Sequence, residues 1–194
     1  MSKSDPAASK RERNKTIRWV VTIFIVTIFI SGAISLLSDV IMENSSVFVA
    51  FLILLAIILI GIIFDIIGMA VASADEKPFH SMAARKVPGA QESIALLRNA
   101  ERVSSICNDV VGDICGVVSG SASAIIAVQI ISNFDFSWPQ IVSLAMSALA
   151  AGLTVGGKSI GNSYADNSST AIVHSVGKCI HWLHSLTKPK KKTK

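Results

Sequence analysis

The feature that most constrains this chain is a pair of apolar runs, each long enough to cross a bilayer. Residues 17–37 (IRWVVTIFIVTIFISGAISLL) carry one charge, Arg18, at the edge, and residues 44–64 (NSSVFVAFLILLAIILIGIIF) carry none. A helix of about 20 such residues spans the hydrocarbon of a membrane. The first run is too long for a signal peptide and lacks a small-residue cleavage site. A third run covers 103–131, and a fourth, rich in small residues, covers about 140–157 (QIVSLAMSALAAGLTVGG). Hydrophobic residues form 51% of the 194 and gather in these blocks, unlike the dispersed pattern of a soluble domain. The expected fold class is an all-α integral membrane protein with four transmembrane helices and juxtamembrane amphipathic helices.

Charge placement supports the count of four. The 18 basic residues fall in three clusters: six in residues 1–18, five from Lys77 to Arg102 and seven from Lys158 to Lys194. The two remaining connections hold only acids, Asp39 and Glu43 in one and Asp135 in the other. Four spans put every basic cluster on the cytoplasmic side of a plasma or inner membrane, with both termini inside. Three spans would break that pattern. The net charge of +5 then reflects topology and contact with anionic lipid, and nucleic acid is not an expected partner.

The polar stretches complete the organisation. Residues 1–15 form a basic, disordered amino terminus, and 16–38 the first transmembrane helix. Residues 45–160 form a membrane core that includes a cytoplasmic loop, 76–102. That loop breaks at Pro88-Gly89 into two short surface helices. Residues 161–187 begin with the capping residues Asp166, Asn167 and Ser168 and carry Ile172, Val176, Ile180 and Leu183 at helical spacing, which predicts an amphipathic helix at the inner leaflet. A basic tail, 188–194, follows. Cys107, Cys115 and Cys179 lack any zinc or disulfide spacing and read as packing residues. His181 and His184, three apart with no third ligand, read as interfacial.

Against this background the acids inside the spans are conspicuous, because each costs roughly 2.5–3.5 kcal/mol at the centre of a membrane helix. Asp65 interrupts the second span, roughly 15 Å from its cytoplasmic end at 1.5 Å per residue. On the third span, running the other way from Arg102, Asp109 is about 10 Å deep and Asp113 about 16 Å. Asp109 and Asp113 stack on one helical face, with Asn108 and Gly112 on the adjacent row. Gly112, Gly116 and Gly120 form two overlapping GxxxG units that permit close helix approach and a dimer seam. Ser105 and, on the fourth span, Thr154 add hydroxyls. Such a set of oxygens suits a hard cation such as Mg²⁺ or Ca²⁺. With Lys158 taken as the inner end of the fourth span, no Lys or Arg lies within a span. A bound cation or retained protons must then balance the carboxylates. The plainer reading is a seam of protonated aspartates acting as hydrogen-bonded glue between helices.

The order of these pieces resembles a known family. An interrupted span ending in GMAVASAD leads to a loop closing on LLRNAER (Leu96 to Arg102), then to the polar, glycine-rich span and to GGKSIGNSYADNSSTAIVHSV. This is similar to the membrane domain of the CorB/CorC–cyclin M magnesium and cobalt transporters, over roughly residues 45–187, with the first span as an addition. The resemblance implies a homodimer whose membrane domains each bind a largely dehydrated Mg²⁺ through serine and asparagine side chains. Asp65 occupies the position of a family serine, and Gly68 that of a glutamate. Asn108 matches a family asparagine across a small gap, with Gly112 as its partner four residues on. Gly157-Lys158 is similar to the family's proline-lysine, and Thr154 replaces the glutamate before it. The cytosolic CBS pair does not follow in this sequence, so ATP regulation is not expected of it.

The expected function is therefore divalent-cation transport, of Mg²⁺ or alternatively Co²⁺, with Asp65, Asn108, Asp109 and Asp113 as metal ligands. Gly112, Gly116, Gly120, Ser105 and Thr154 would support the site. No catalytic residue is expected. Two alternatives stand beside it. One is a non-transporting scaffold or cation sensor working with a separate cytosolic regulatory partner. The other is an intramembrane aspartyl protease, for which Gly112-Asp113 matches half of a GxGD signature while Val110 and Phe64 depart from its motifs.

Overall fold

A computed structural model describes the backbone of residues 6–43, 45–134 and 138–187, and side chains within 17–42, 45–133 and 138–186. The described residues are all helical or in short turns. The helices are α1 (Pro6–Glu43), α2 (Val47–Ser73), α3 (Lys77–Ala84), α4 (Ala90–Arg98), α5 (Ala100–Ser105), a π-helical turn (Ile106–Gly112), α6 (Asp113–Phe134) and α7 (Pro139–Thr187). Four stretches are long and apolar enough to span a membrane: Ile17–Met42, Val47–Ser73, Ala100–Asn133 and Pro139–Leu186. The expected all-α, multi-pass architecture is present. Asp135 and the tail 188–194 lie outside the described residues.

Helix α2 is the central element, packed against α6 and α7 along its length, while α1 lies mainly against α6. Ser46 opens α2 as its N-cap, its hydroxyl oxygen accepting from the Val49 amide at 3.5 Å. One apolar cluster, Met42, Ala50, Leu54, Ile58, Ala122 and Ile126, joins α1, α2 and α6. Gln129 of α6 donates its Nε2 to the Met42 carbonyl at 2.8 Å, satisfying one of the acceptors that every helix end leaves open. A second cluster, Ala70, Val71, Phe79, Ala165 and Val173, joins the other end of α2 to α3 and α7. The outward faces remain apolar, with Phe24, Phe29, Phe48, Leu144 and Val155 all exposed. A water-facing surface would not keep them so, whereas lipid solvates them.

Two boundaries differ from expectation. Residues 6–15 belong to α1, since Ala, Lys, Arg and Glu dominate that stretch and all favour helix. The fourth span runs past its expected end at 157 to a kink at Ser168 (φ −121°, ψ 18°), where it meets the juxtamembrane helix; the two together are α7. The kink falls on the expected capping residues, Asp166 to Ser168; just before it, Asn167 donates back to the Ser163 carbonyl at 2.9 Å. Nor does Gly156-Gly157 break the helix. Added methyl carbons at Gly157 and Gly161 would strike Ile62 and Ile66, so these glycines are where α2 settles against α7.

The surface helices follow the expected break. Gly89 adopts φ +85°, a left-handed conformation that suits glycine, and starts α4. Its backbone meets α7 so closely that a β-carbon there would lie 2.5 Å from the Lys178 amide nitrogen. The buried Ser93 hydroxyl bonds both the Gly89 carbonyl (2.9 Å) and the Val173 carbonyl (3.2 Å), fastening α4 to the later half of α7. Beside it, His181 Nδ1 and Glu92 Oε1 meet at 2.7 Å.

Candidate functional site

The polar centre lies where α2 meets the π-helical turn. A π turn bonds each amide one residue further back than an α-helix does, widening the helix locally, and such bulges concentrate at functional sites. Here it spans Ile106–Gly112, the segment that carries Asn108 and Asp109. Two glycines let the chains meet. A β-carbon at Gly68 of α2 would overlap the Asn108 Oδ1 atom. A β-carbon at Gly112 would lie 3.1 Å from Lys158 Nζ and 3.9 Å from Asp65 Oδ1. The row Asn108–Gly112 thus faces α2, and the neighbouring row, Asp109 and Asp113, is turned to the exposed side.

Asp65 is buried, 7% exposed, and its Oδ1 pairs with the Lys158 ammonium at 3.3 Å. This corrects the expectation that no basic side chain reaches the membrane acids. Lys158 lies within a helix that continues ten residues past it to the kink at Ser168, and its flexible stem returns the ammonium to α2. Two charges removed together from water need one another. Taking away one partner of such a pair destabilises a protein by about 3–5 kcal/mol.

Asn108 donates Nδ2 to Ser104 Oγ over a long 3.5 Å, and its Oδ1 is buried with no hydrogen-bond partner. Ser105 donates to Asp109 Oδ2 at 2.7 Å, one turn apart on the same face. An open cavity of about 400 Å³ collects these groups; it is lined by Glu101, Ser104, Ser105, Asn108 and Asp109, with Ala72 and Ala100 as its apolar floor. Five oxygen-bearing side chains and no sulfur face it, a donor set suited to hard cations.

The other expected residues fall elsewhere. Asp113 is exposed, whereas Asp65 is buried. Among the described residues, no three His, Cys, Asp or Glu side chains come together as a metal-holding group, so Asp65, Asp109 and Asp113 do not form one carboxylate cage within the chain. The physical reason is the turn of the helix: the row facing α2 is filled by an amide and a glycine. Gly116, Gly120 and Thr154 line a separate cavity of about 210 Å³ between α6 and α7, with Ser119, Ser123 and Ser147. Sequence reasoning counted Ser104 among the hydroxyls of this span but missed Glu101 as a cavity residue and Lys158 as the partner of Asp65. The spacing of Glu101, Ser104, Ser105, Asn108 and Asp109, at three, four, seven and eight, was the available signal.

Compared with known proteins, the chain matches no family profile, no curated protein and no solved structure.

Proposed function

We propose that this multi-pass membrane protein binds and transports a divalent cation, Mg²⁺ first, with Co²⁺ as the alternative ion. The observation that carries the reading is the open cavity with five oxygen-bearing side chains built on a π-helical turn within a membrane span. Asp109 supplies its negative charge. Ser104, Ser105 and the unpartnered Asn108 carbonyl supply neutral oxygens. Glu101 stands at the end of that face nearer the α4–α5 turn, where it would draw cations toward the cavity. Mg²⁺ gives up water reluctantly, and a cavity of this openness leaves room for retained water. The resemblance to the CorB/CorC–cyclin M membrane domain agrees with this choice of ion and adds a homodimer in a plasma or inner membrane, with cytoplasmic termini and a separate cytosolic regulatory partner.

The experiment is cation flux in proteoliposomes, with Asp109→Asn and Asn108→Ala as variants. Both variants are expected to lose most Mg²⁺ flux while remaining folded; flux equal to that of the unaltered protein would sink the assignment. Cation-dependent thermal stabilisation without flux would instead favour the sensor or scaffold reading. The protease reading draws less support, because the Asp65 carboxylate is engaged by Lys158 and not by a second aspartate.

A further inference from the structure

Three polar atoms surround the point where Gly112 has no side chain. Measured from an idealised β-carbon there, Lys158 Nζ lies at 3.1 Å, the Cys107 carbonyl oxygen at 3.6 Å and Asp65 Oδ1 at 3.9 Å. The niche therefore contains a carboxylate oxygen, one positive charge that is covalently part of the protein, and a backbone carbonyl oxygen that the π turn bonds to the Gly112 amide and that keeps its second lone pair for a cation. It lies on the same seam as the Asn108 carbonyl, one turn further along both α2 and the π turn, and the Asp65 carboxyl beside it is more than nine-tenths buried. A hard cation asks for just such oxygens, and an ammonium competes for them on charge alone.

We infer that this niche is a second, deeper cation station, with Asp65 Oδ1 and the Cys107 carbonyl as its ligands and the Lys158 ammonium as a tethered occupant. The inference rests on the cation-handling reading above. In the state described here Lys158 fills the station, so Asp65 does not take a mobile cation. A divalent ion gains the station only when the lysine side chain leaves it, and arrival of one positive charge is coupled to departure of the other. Lys158 is thus a positioning and specificity residue. It holds the charge of the deeper station constant between arrivals and discourages cations too weakly charged to displace it.

The test uses the purified full chain in lipid nanodiscs, with thermal unfolding followed across a MgCl₂ titration. Four proteins are compared: unaltered, Lys158→Met, Asp65→Asn and the double variant Asp65→Asn/Lys158→Met. Lys158→Met frees the carboxylate and is expected to bind Mg²⁺ at least about tenfold more tightly, within the usual range for coupling between two ligands. The double variant removes both charges and is expected to fold but to lack the gain in Mg²⁺ affinity shown by Lys158→Met. Asp65→Asn alone leaves Lys158 unpaired and is expected to lower the unfolding temperature, again without that gain. A purely structural ion pair would make Lys158→Met less stable without tightening Mg²⁺ binding, and that result overturns the inference. Should Lys158→Met fail to fold, the double variant decides: weakened Mg²⁺ binding there would mean that Asp65 already serves as a ligand beside Lys158. Absence of any Mg²⁺ effect on the unaltered protein, with a clear effect on Lys158→Met, would remove the proposed function and leave the tethered lysine standing.

Discussion

Gly68 separates packing from chemistry at the site. Its missing side chain is what allows the Asn108 carbonyl to lie against α2. A methyl group there overlaps both Asn108 Oδ1 and Cys107 Cβ, and overpacking of this kind costs about 1–3 kcal/mol. Gly68→Ala is accordingly expected to lower stability in a denaturation assay and to weaken Mg²⁺ stabilisation, because the asparagine must swing out. Adding Asn108→Ala to Gly68→Ala should return the stability but not the Mg²⁺ response. Equal Mg²⁺ responses in Gly68→Ala and the unaltered protein would show that the Asn108 carbonyl is not a ligand. At this scale the sequence was partly informative. The i, i+4 pairing of Ser105 with Asp109 follows from ordinary helical spacing. The pairing of Asp65 with Lys158 does not, because it joins residues 93 apart across two helices. Lys158 follows two glycines, a local signal for the end of a helix, and only packing against Ile62 and Ile66 overrides it.

Among the elements, the docking of α4 on α7 is the one with a titratable contact. The hydrogen bond from His181 holds the Glu92 carboxyl below its ordinary value near 4.5, against a smaller opposing effect of burial, and His184 adds to the attraction. A lowered carboxyl pKa contributes stability that is complete above the ordinary value and lost as pH falls through the lowered one. Trp182 adjoins this contact. In a protein with Trp19 and Trp138 replaced by Phe, Trp182 fluorescence is expected to change on acidification with a midpoint below 4.5. Glu92→Gln should abolish that transition; its persistence would assign the transition to another group. The break at Pro88-Gly89 that makes this docking possible was legible from two residues, since proline and glycine act through local backbone geometry. The π turn was not. It forms where helix packing around Gly68 and Gly112 favours a wider turn, and the apolar periodicity of one strip of sequence carries no record of its neighbours.

For the whole molecule, the four spans were legible because hydrophobic length is a property of the chain itself. The same blocks of charge lead to a prediction of sidedness. A membrane-impermeant thiol reagent applied to intact cells is expected to label Ser45→Cys, in the short connection between α1 and α2, in a protein whose native cysteines are replaced. A cysteine restored at position 179, on the exposed surface of the later half of α7, should react only after the membrane is opened. Labelling of both from outside would overturn the four-span arrangement with inward termini. Less legible was what the spans do to their acids. Depth estimated from residue counts brings Asp65, Asp109 and Asp113 to similar levels, but level says nothing of direction, and the helix carries Asp109 and Asp113 to the exposed side.

The kink of α7 at Ser168 has a mechanical consequence. Lys158 lies ten residues before the bend at Ser168, and Gly177, where α4 grips the helix, lies nine residues after it. At 1.5 Å per residue, each arm is roughly 15 Å long. If the kink holds its angle, a torque applied to the later helix at the membrane surface reaches the earlier helix that carries the ammonium, much as a crank turns a bolt. Spin labels placed on the two arms would report the swing as a change in separation when Mg²⁺ is added, and an unchanged separation would mean that the crank does not turn.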